Sequence, residues 1–146
     1  MIVVAEQDHL KRIAELGPKF WKESKLPGEF IPEVFVSNWT KIIEKDQGVI
    51  FANISENSNI NGAIGLLLYN DINDGKLIMQ EAFWFVDESS RGFGIRLLKK
   101  AEKLAETIGV KRFVMTHVLN QYAEKLSKLY PKMGFIPLEI NYIKHL

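Results

Sequence analysis

Residues 77–86, LIMQEAFWFV, are strand formers with apolar side chains at both odd and even positions. A strand that is apolar on both faces has to be covered on both faces, so this run predicts a central strand with helices on each side of its sheet. Glu81 is its one exception. After the turn SSRGFG, residues Ile95, Leu98, Ala101, Leu104, Ala105 and Ile108 recur at helical spacing, with Lys99, Lys100, Glu102, Lys103 and Glu106 on the opposite face. Gly109 supplies the helix stop, and KRFVMTHV is strand-like again. Strand, helix and strand in that order predict one right-handed parallel crossover.

The rest of the chain fits around that crossover. MIVVA reads as a short strand, and Asp8 stands where an N-cap would, ahead of Leu10, Ile13, Ala14 and Leu16. Gly17-Pro18 is expected to interrupt or kink that helix. Residues 23–33, with two prolines and a glycine, read as a loop, and a second helix runs from about Pro32 through Val36, Trp39, Ile42 and Ile43. GVIFANI and AIGLLLYND flank the polar turn SENSNING as a hairpin, and DINDGK is a further turn. QYAEKLSKL reads as a short helix and GFIPLEINYI as one or two closing strands. The expected architecture is α/β (α+β): a mixed, mainly antiparallel sheet with helices on both faces, in the order β-α-α-β-β-β-α-β-α-β-β. A chain of 146 residues without a linker or repeat is expected to be a single domain, 1–146.

Charge and cysteine content narrow the function. With 19 basic and 18 acidic residues, no global field draws the chain to nucleic acid or anionic lipid, so neither is expected as a partner. There is no cysteine, which removes disulfides, thiolate nucleophiles and cysteine-bound metal and fits a reducing, cytoplasmic setting. The first residues lack signal-peptide features, and no apolar run reaches membrane-spanning length.

Residues 89–101 hold Arg91, Arg96, Lys99 and Lys100 and no acid. Cations at the positive end of a helix repel it unless an anion sits there, and glycines let backbone N–H groups approach a phosphate. The bland alternative is a tight turn shaped by Gly92 and Gly94 with solvated basic residues. A dinucleotide fingerprint would need glycine at Leu97, and a Walker A loop would need Lys-Ser/Thr after Gly94, so both fit poorly.

A third pattern fits better. The stretch Arg91-Gly92-Phe93-Gly94-Ile95-Arg96 resembles the Arg/Gln-x-x-Gly-x-Gly/Ala signature of the GCN5-related N-acetyltransferase (GNAT) family, departing from it at Arg96. RFVMT, Asn120, QYAEKLSKL and Tyr130-Pro131-Lys132-Met133-Gly134-Phe135 are similar, in order and spacing, to the strand, Asn, short helix and Tyr-x-Lys-x-Gly-Phe close that family members carry after the crossover helix. The resemblance implies acetyl-CoA as cosubstrate, an amine acceptor and no metal. It implies that the backbone of Phe85 and Val86 pairs with the pantetheine arm. Arg91, Gly92, Phe93, Gly94, Ile95 and Arg96 would hold the pyrophosphate, Asn120 would touch the arm, and Tyr130 would lie near the thioester sulfur. Arg96 is expected to point outward and pair with a CoA phosphate.

Acetyl transfer needs a neutral amine and a proton for the departing thiolate. Without cysteine, direct attack of the amine is the economical route. Tyr130, a phenol with an ordinary pKa of roughly 10, is the candidate acid. Glu81 is the candidate base, since a carboxylate inside an apolar strand is costly unless used or paired, and His117 is a second choice. Phe20, Trp21, Phe30, Phe35 and Trp39, interspersed with Glu23, Glu29 and Glu33, are expected to form an aromatic slot with acids at its mouth, suited to a cationic amine. An acetyltransferase acting on a small-molecule or peptide amine is the leading class. A CoA-binding or regulatory module of the same fold without turnover stays open, motivated by Arg96 and Pro131. The apolar closing segment IPLEINYIKHL would also let two copies pair at a strand edge.

Overall fold

The computed structural model describes residues 1–90 and 92–146 and divides into two compact units, Met1–Thr116 and His117–Leu146. In the first, β1 (Ile2–Val4) precedes α1 (Gln7–Glu23) and α2 (Pro32–Glu44). β2 (Gly48–Ile54), β3 (Ile60–Asn70) and β4 (Leu77–Val86) come next, then α3 (Phe93–Ile108) and β5 (Arg112–Val114). The strands lie in the order β1-β2-β3-β4-β5, antiparallel throughout except for the parallel β4–β5 pair. That pair is closed by α3, so the predicted crossover and mainly antiparallel sheet are present.

Parity explains the layers. Ile50, Ala52, Ala63 and Phe85 pack with Leu10 and Ile13 of α1 and Trp39 of α2. The alternate positions meet α3: a Cβ built on Gly62 would lie 3.4 Å from Leu97, and one built on Gly94 would lie 3.3 Å from Val86. Ile64, Leu66, Met79, Leu97 and Leu98 are fully buried. Each contributes about 1.5–3 kcal/mol on burial. Apolar residues on both faces of β3 and β4 are thus used on both faces.

Local expectations fail in three places. α1 runs unbroken through Pro18, because its inner face of Leu10, Ile13, Ala14 and Gly17 is buried and that packing outweighs one lost backbone bond. Its N-cap is Glu6 rather than Asp8, with the Glu6 N–H donating to Nδ1 of His9 at 3.0 Å. In the second unit, α4 (Ala123–Lys132) is the only helix or strand among the described residues, so the one or two closing strands expected in GFIPLEINYI are not formed. The apolar side chains there, Ile136, Leu138, Ile140 and Tyr142, are exposed. Alternation alone does not make a strand without a partner edge.

The DINDGK turn is pinned where β4 begins. Arg112 donates from both guanidinium nitrogens to the Asp74 carboxylate at 2.9 and 3.0 Å, and also lies 3.2 Å from Asp71. The hydrogen bond from Arg112 holds the Asp74 carboxyl below its ordinary range.

Candidate active site

Two features of β4 shape the site. Its pairing with β5 ends at Gln80↔Val114, so Glu81–Val86 run on with a strand partner on the β3 side only among the described residues. Its pairing with β3 slips by one: Gly65 faces Phe83 while Leu66 faces Glu81, leaving Ala82 as the extra residue of a β-bulge. Ala82 and Phe83 therefore both look toward the α1–α2 side, and Glu81 is turned to the face it shares with Leu66. An unbulged strand would have put Glu81 on the same face as Phe83 and Phe85.

Glu81 accepts a hydrogen bond from the Thr116 N–H at 2.9 Å, just beyond the end of β5. The residue as a whole is half-buried, but protein encloses its carboxyl. Desolvation pushes that carboxyl up to about 7, opposed by the Thr116 N–H, which favours the charged form. A group that exchanges its proton near neutrality is suited to general-base work.

Beyond β4, α3 starts at Gly92 as N-cap with no acid in its first turn, as the composition predicted. Neither Gly92, at φ −61°, nor Gly94 uses a left-handed backbone. Apart from its chain neighbours, a Cβ on Gly92 would meet nothing within 4 Å, while a Cβ on Gly94 would lie 3.3 Å from Val86 and 3.4 Å from Trp84, so Gly94 sits close against β4. Phe93 and Ile95 belong to the first turn; Arg96 is exposed, its guanidinium carbon 5.0 Å from the centre of the Phe93 ring. Arg91 lies outside the described residues. Trp84 was not singled out from the sequence. Its indole N–H is buried beside Gly94 without a hydrogen-bond partner among the described residues, and only the packed structure reveals that.

The remaining predicted residues belong to the second unit. The Oδ1 of Asn120 accepts from the Tyr122 N–H at 2.9 Å, and its carbonyl accepts from the Ala123 N–H at 3.1 Å, so Asn120 shapes the turn that precedes α4. Gly134, at φ 85°, lets Phe135 fold back: its N–H donates to the Tyr130 carbonyl at 3.0 Å, and the two rings lie 5.4 Å apart. Tyr130 is buried, with the exposed His117 edge-on at 6.5 Å.

Residues 10–135 match the profile of the Acetyltransferase (GNAT) family. The chain belongs to that family. No curated protein matches this GNAT chain by sequence. Solved structures do match. A Trypanosoma brucei acetyltransferase is similar with a TM-score of 0.77 at 19% identity, over 100% of this chain and 99% of that one. Glucosamine-6-phosphate N-acetyltransferase from Arabidopsis thaliana is similar with a TM-score of 0.75 at 16% identity, over 99% and 97%. Ribosomal-protein-alanine N-acetyltransferase from Brucella melitensis gives 0.70 at 15%, over 100% and 99%. At these identities the shared property is the GNAT fold.

On the α1–α2 side of its sheet this GNAT chain has a cavity of about 140 Å³, partly open to solvent. Phe20, Trp21, Phe30, Phe35 and Trp39 line it as the sequence suggested, joined by Phe83 and by Ala82 of the bulge. The expected acids at its mouth are absent from its lining. Glu29 and Glu33 are exposed, and Glu23 lies 3.9 Å from Lys19 on the outer face of α1. Glu23 and Glu33 stand on exposed positions of α1 and α2, and Glu29 on the loop between them.

Proposed function

We propose that this chain is an acetyl-CoA-dependent N-acetyltransferase that acetylates a primary amine by direct attack. The observation that carries the reading is the pairing of a β4 edge at Phe83–Val86 that has no strand partner opposite β3 among the described residues with an acid-free, glycine-started α3 immediately after it. An extended amide-bearing arm can add to such an edge as a strand would, and a pyrophosphate suits the positive helix end. Phe85 and Val86 would hold the arm through their backbone, and Gly92, Phe93, Gly94 and Ile95 would offer N–H groups to the pyrophosphate. Arg91, at the head of the family signature, would do the same.

Bound acetyl-CoA would supply an acyl group activated as a thioester: the amine nitrogen bonds to the carbonyl carbon, and the carbon–sulfur bond breaks. Glu81 would take the ammonium proton. Because Glu81 shares Leu66's face and the cavity lies on Phe83's, the proton would pass around the open edge of β4 through one water. Tyr130 would give its proton to the thiolate and regain one from the nitrogen of the tetrahedral adduct, with Asn120 beside the arm; the family resemblance supports both roles.

Thiol release from acetyl-CoA, measured over polyamines, aminoglycosides, amino acids and peptide N-termini as well as apolar amines, tests the reading. Amine-dependent release is expected. Stabilisation by acetyl-CoA without release from any amine would replace the enzyme with a binding module.

Arg96 gives a smaller prediction. Exposed and standing over Phe93, it is free to reach a CoA phosphate without crowding the helix end. Arg96→Ala should raise KM for acetyl-CoA about fivefold with kcat unchanged, and the difference should shrink at high salt. An unchanged KM would remove Arg96 from the site.

A further inference from the structure

We propose that the acceptor amine carries one aromatic ring, or a branched apolar group of that size, and that the aromatic cavity on the α1–α2 side holds it; this rests on the acetyltransferase reading above. The size argues first. A dry cavity of roughly 150 Å³ lined by apolar side chains holds one benzene. At about 140 Å³, and partly open to solvent, this one has room for a single ring.

The chemistry of the wall argues second. Every lining residue is apolar or aromatic, and none is charged. The rings form a connected set: Trp21–Phe30 at 6.2 Å, Phe30–Phe35 at 5.2 Å, Phe35–Phe83 at 5.5 Å and Trp39–Phe83 edge-on at 5.6 Å. Ring faces and edges at these spacings suit a further ring. The wall offers no carboxylate to pair with a primary ammonium ion, so the apolar part of the acceptor is the part it matches.

The position argues third. Ala82, which lines the cavity, is the bulged residue between Glu81 and Phe83 at the start of the open β4 edge. A ring seated against Ala82 leaves an amine on a short alkyl linker at that edge. Phe30 lies across Gly17 where any Cβ would strike it, and the indole N–H of Trp21 donates to the Gly28 carbonyl at 3.2 Å, tying the α1–α2 loop to α1.

Acetylation of phenethylamine, n-butylamine, putrescine and glucosamine, compared by kcat/KM with the full chain, is the test. Phenethylamine is expected to exceed putrescine and glucosamine at least tenfold, with n-butylamine between. Ala82→Leu, which fills the cavity, should raise the phenethylamine KM at least tenfold and leave the acetyl-CoA KM unchanged. Phe30→Ala should shift preference toward a naphthyl-ethylamine, which a merely unfolded variant could not do. Phenethyl alcohol, which has the ring but no amine, should shift the amide resonances of Ala82 and Phe83 whether or not acetyl transfer occurs. Ring binding without thiol release would overturn the acetyltransferase reading and leave the cavity assignment standing. Efficient turnover of putrescine or glucosamine with no response to the ring compounds would overturn the cavity assignment and leave the acetyltransferase reading standing.

Discussion

Glu81→Gln lowers kcat for amine acetylation at least about a hundredfold near neutral pH, the usual range for losing a positioned general base. With Glu81 as the base, kcat/KM of the wild type should rise with pH through about 7, where the carboxyl of the free protein loses its proton, and Glu81→Gln should lack that limb. Stability moves the opposite way. Burial raises the folded pKa above the ordinary 4.5, so the group favours the folded state fully below 4.5, and that contribution is lost as pH rises through about 7. Glu81→Gln keeps an acceptor for the Thr116 N–H and carries no charge. Above pH 7 it should be more stable than wild type by an amount on the order of 3 kcal/mol, the two converging below pH 4.5. A variant with wild-type kcat and an intact limb would assign the proton transfer to another group, His117 first.

Gly65→Ala has the largest expected structural effect for the smallest chemical change. Gly65 faces Phe83 across the bulge, and the Phe83 ring lies where the new methyl group would stand. Phe35, Trp39 and Phe85 pack around the ring at 5.5, 5.6 and 6.3 Å, so the direction left for it to yield is the cavity it lines. Overpacking of this kind costs about 1–3 kcal/mol, which lowers Tm by roughly 2–9 °C in a chain of this size. Phe83 should be pushed toward the cavity, so turnover of ring-bearing amines falls with the stability. A thermal melt within about one degree of wild type would mean that the ring is free to move, and that the cavity is softer than its packing indicates.

The two-sided covering of β4 was legible in its residues. LIMQEAFWFV is apolar at both parities because α1 and α2 cover one face of the strand and α3 the other. The acid-free start of α3 was equally plain. The bulge was not. One unpaired residue, Ala82, changes which face Glu81 occupies, and no composition or spacing rule marks it. The aromatics of α1 and α2 were readable as a slot, but the acids among them were not readable as solvent-facing until the helices were packed. Pro18 and the alternating closing segment mislead for one reason: local propensity yields to tertiary partners, present for α1 and lacking as strand pairing for residues 136–146.

Hydrogen–deuterium exchange with and without acetyl-CoA tests the central claim, that the open β4 edge and the start of α3 together hold the acyl donor. Protection confined to Phe83–Val86 and Gly92–Arg96 within the first unit, given by acetyl-CoA and not by ATP, is the result this account predicts. Tight binding of acetyl-CoA that leaves those amides exchanging as before would contradict it.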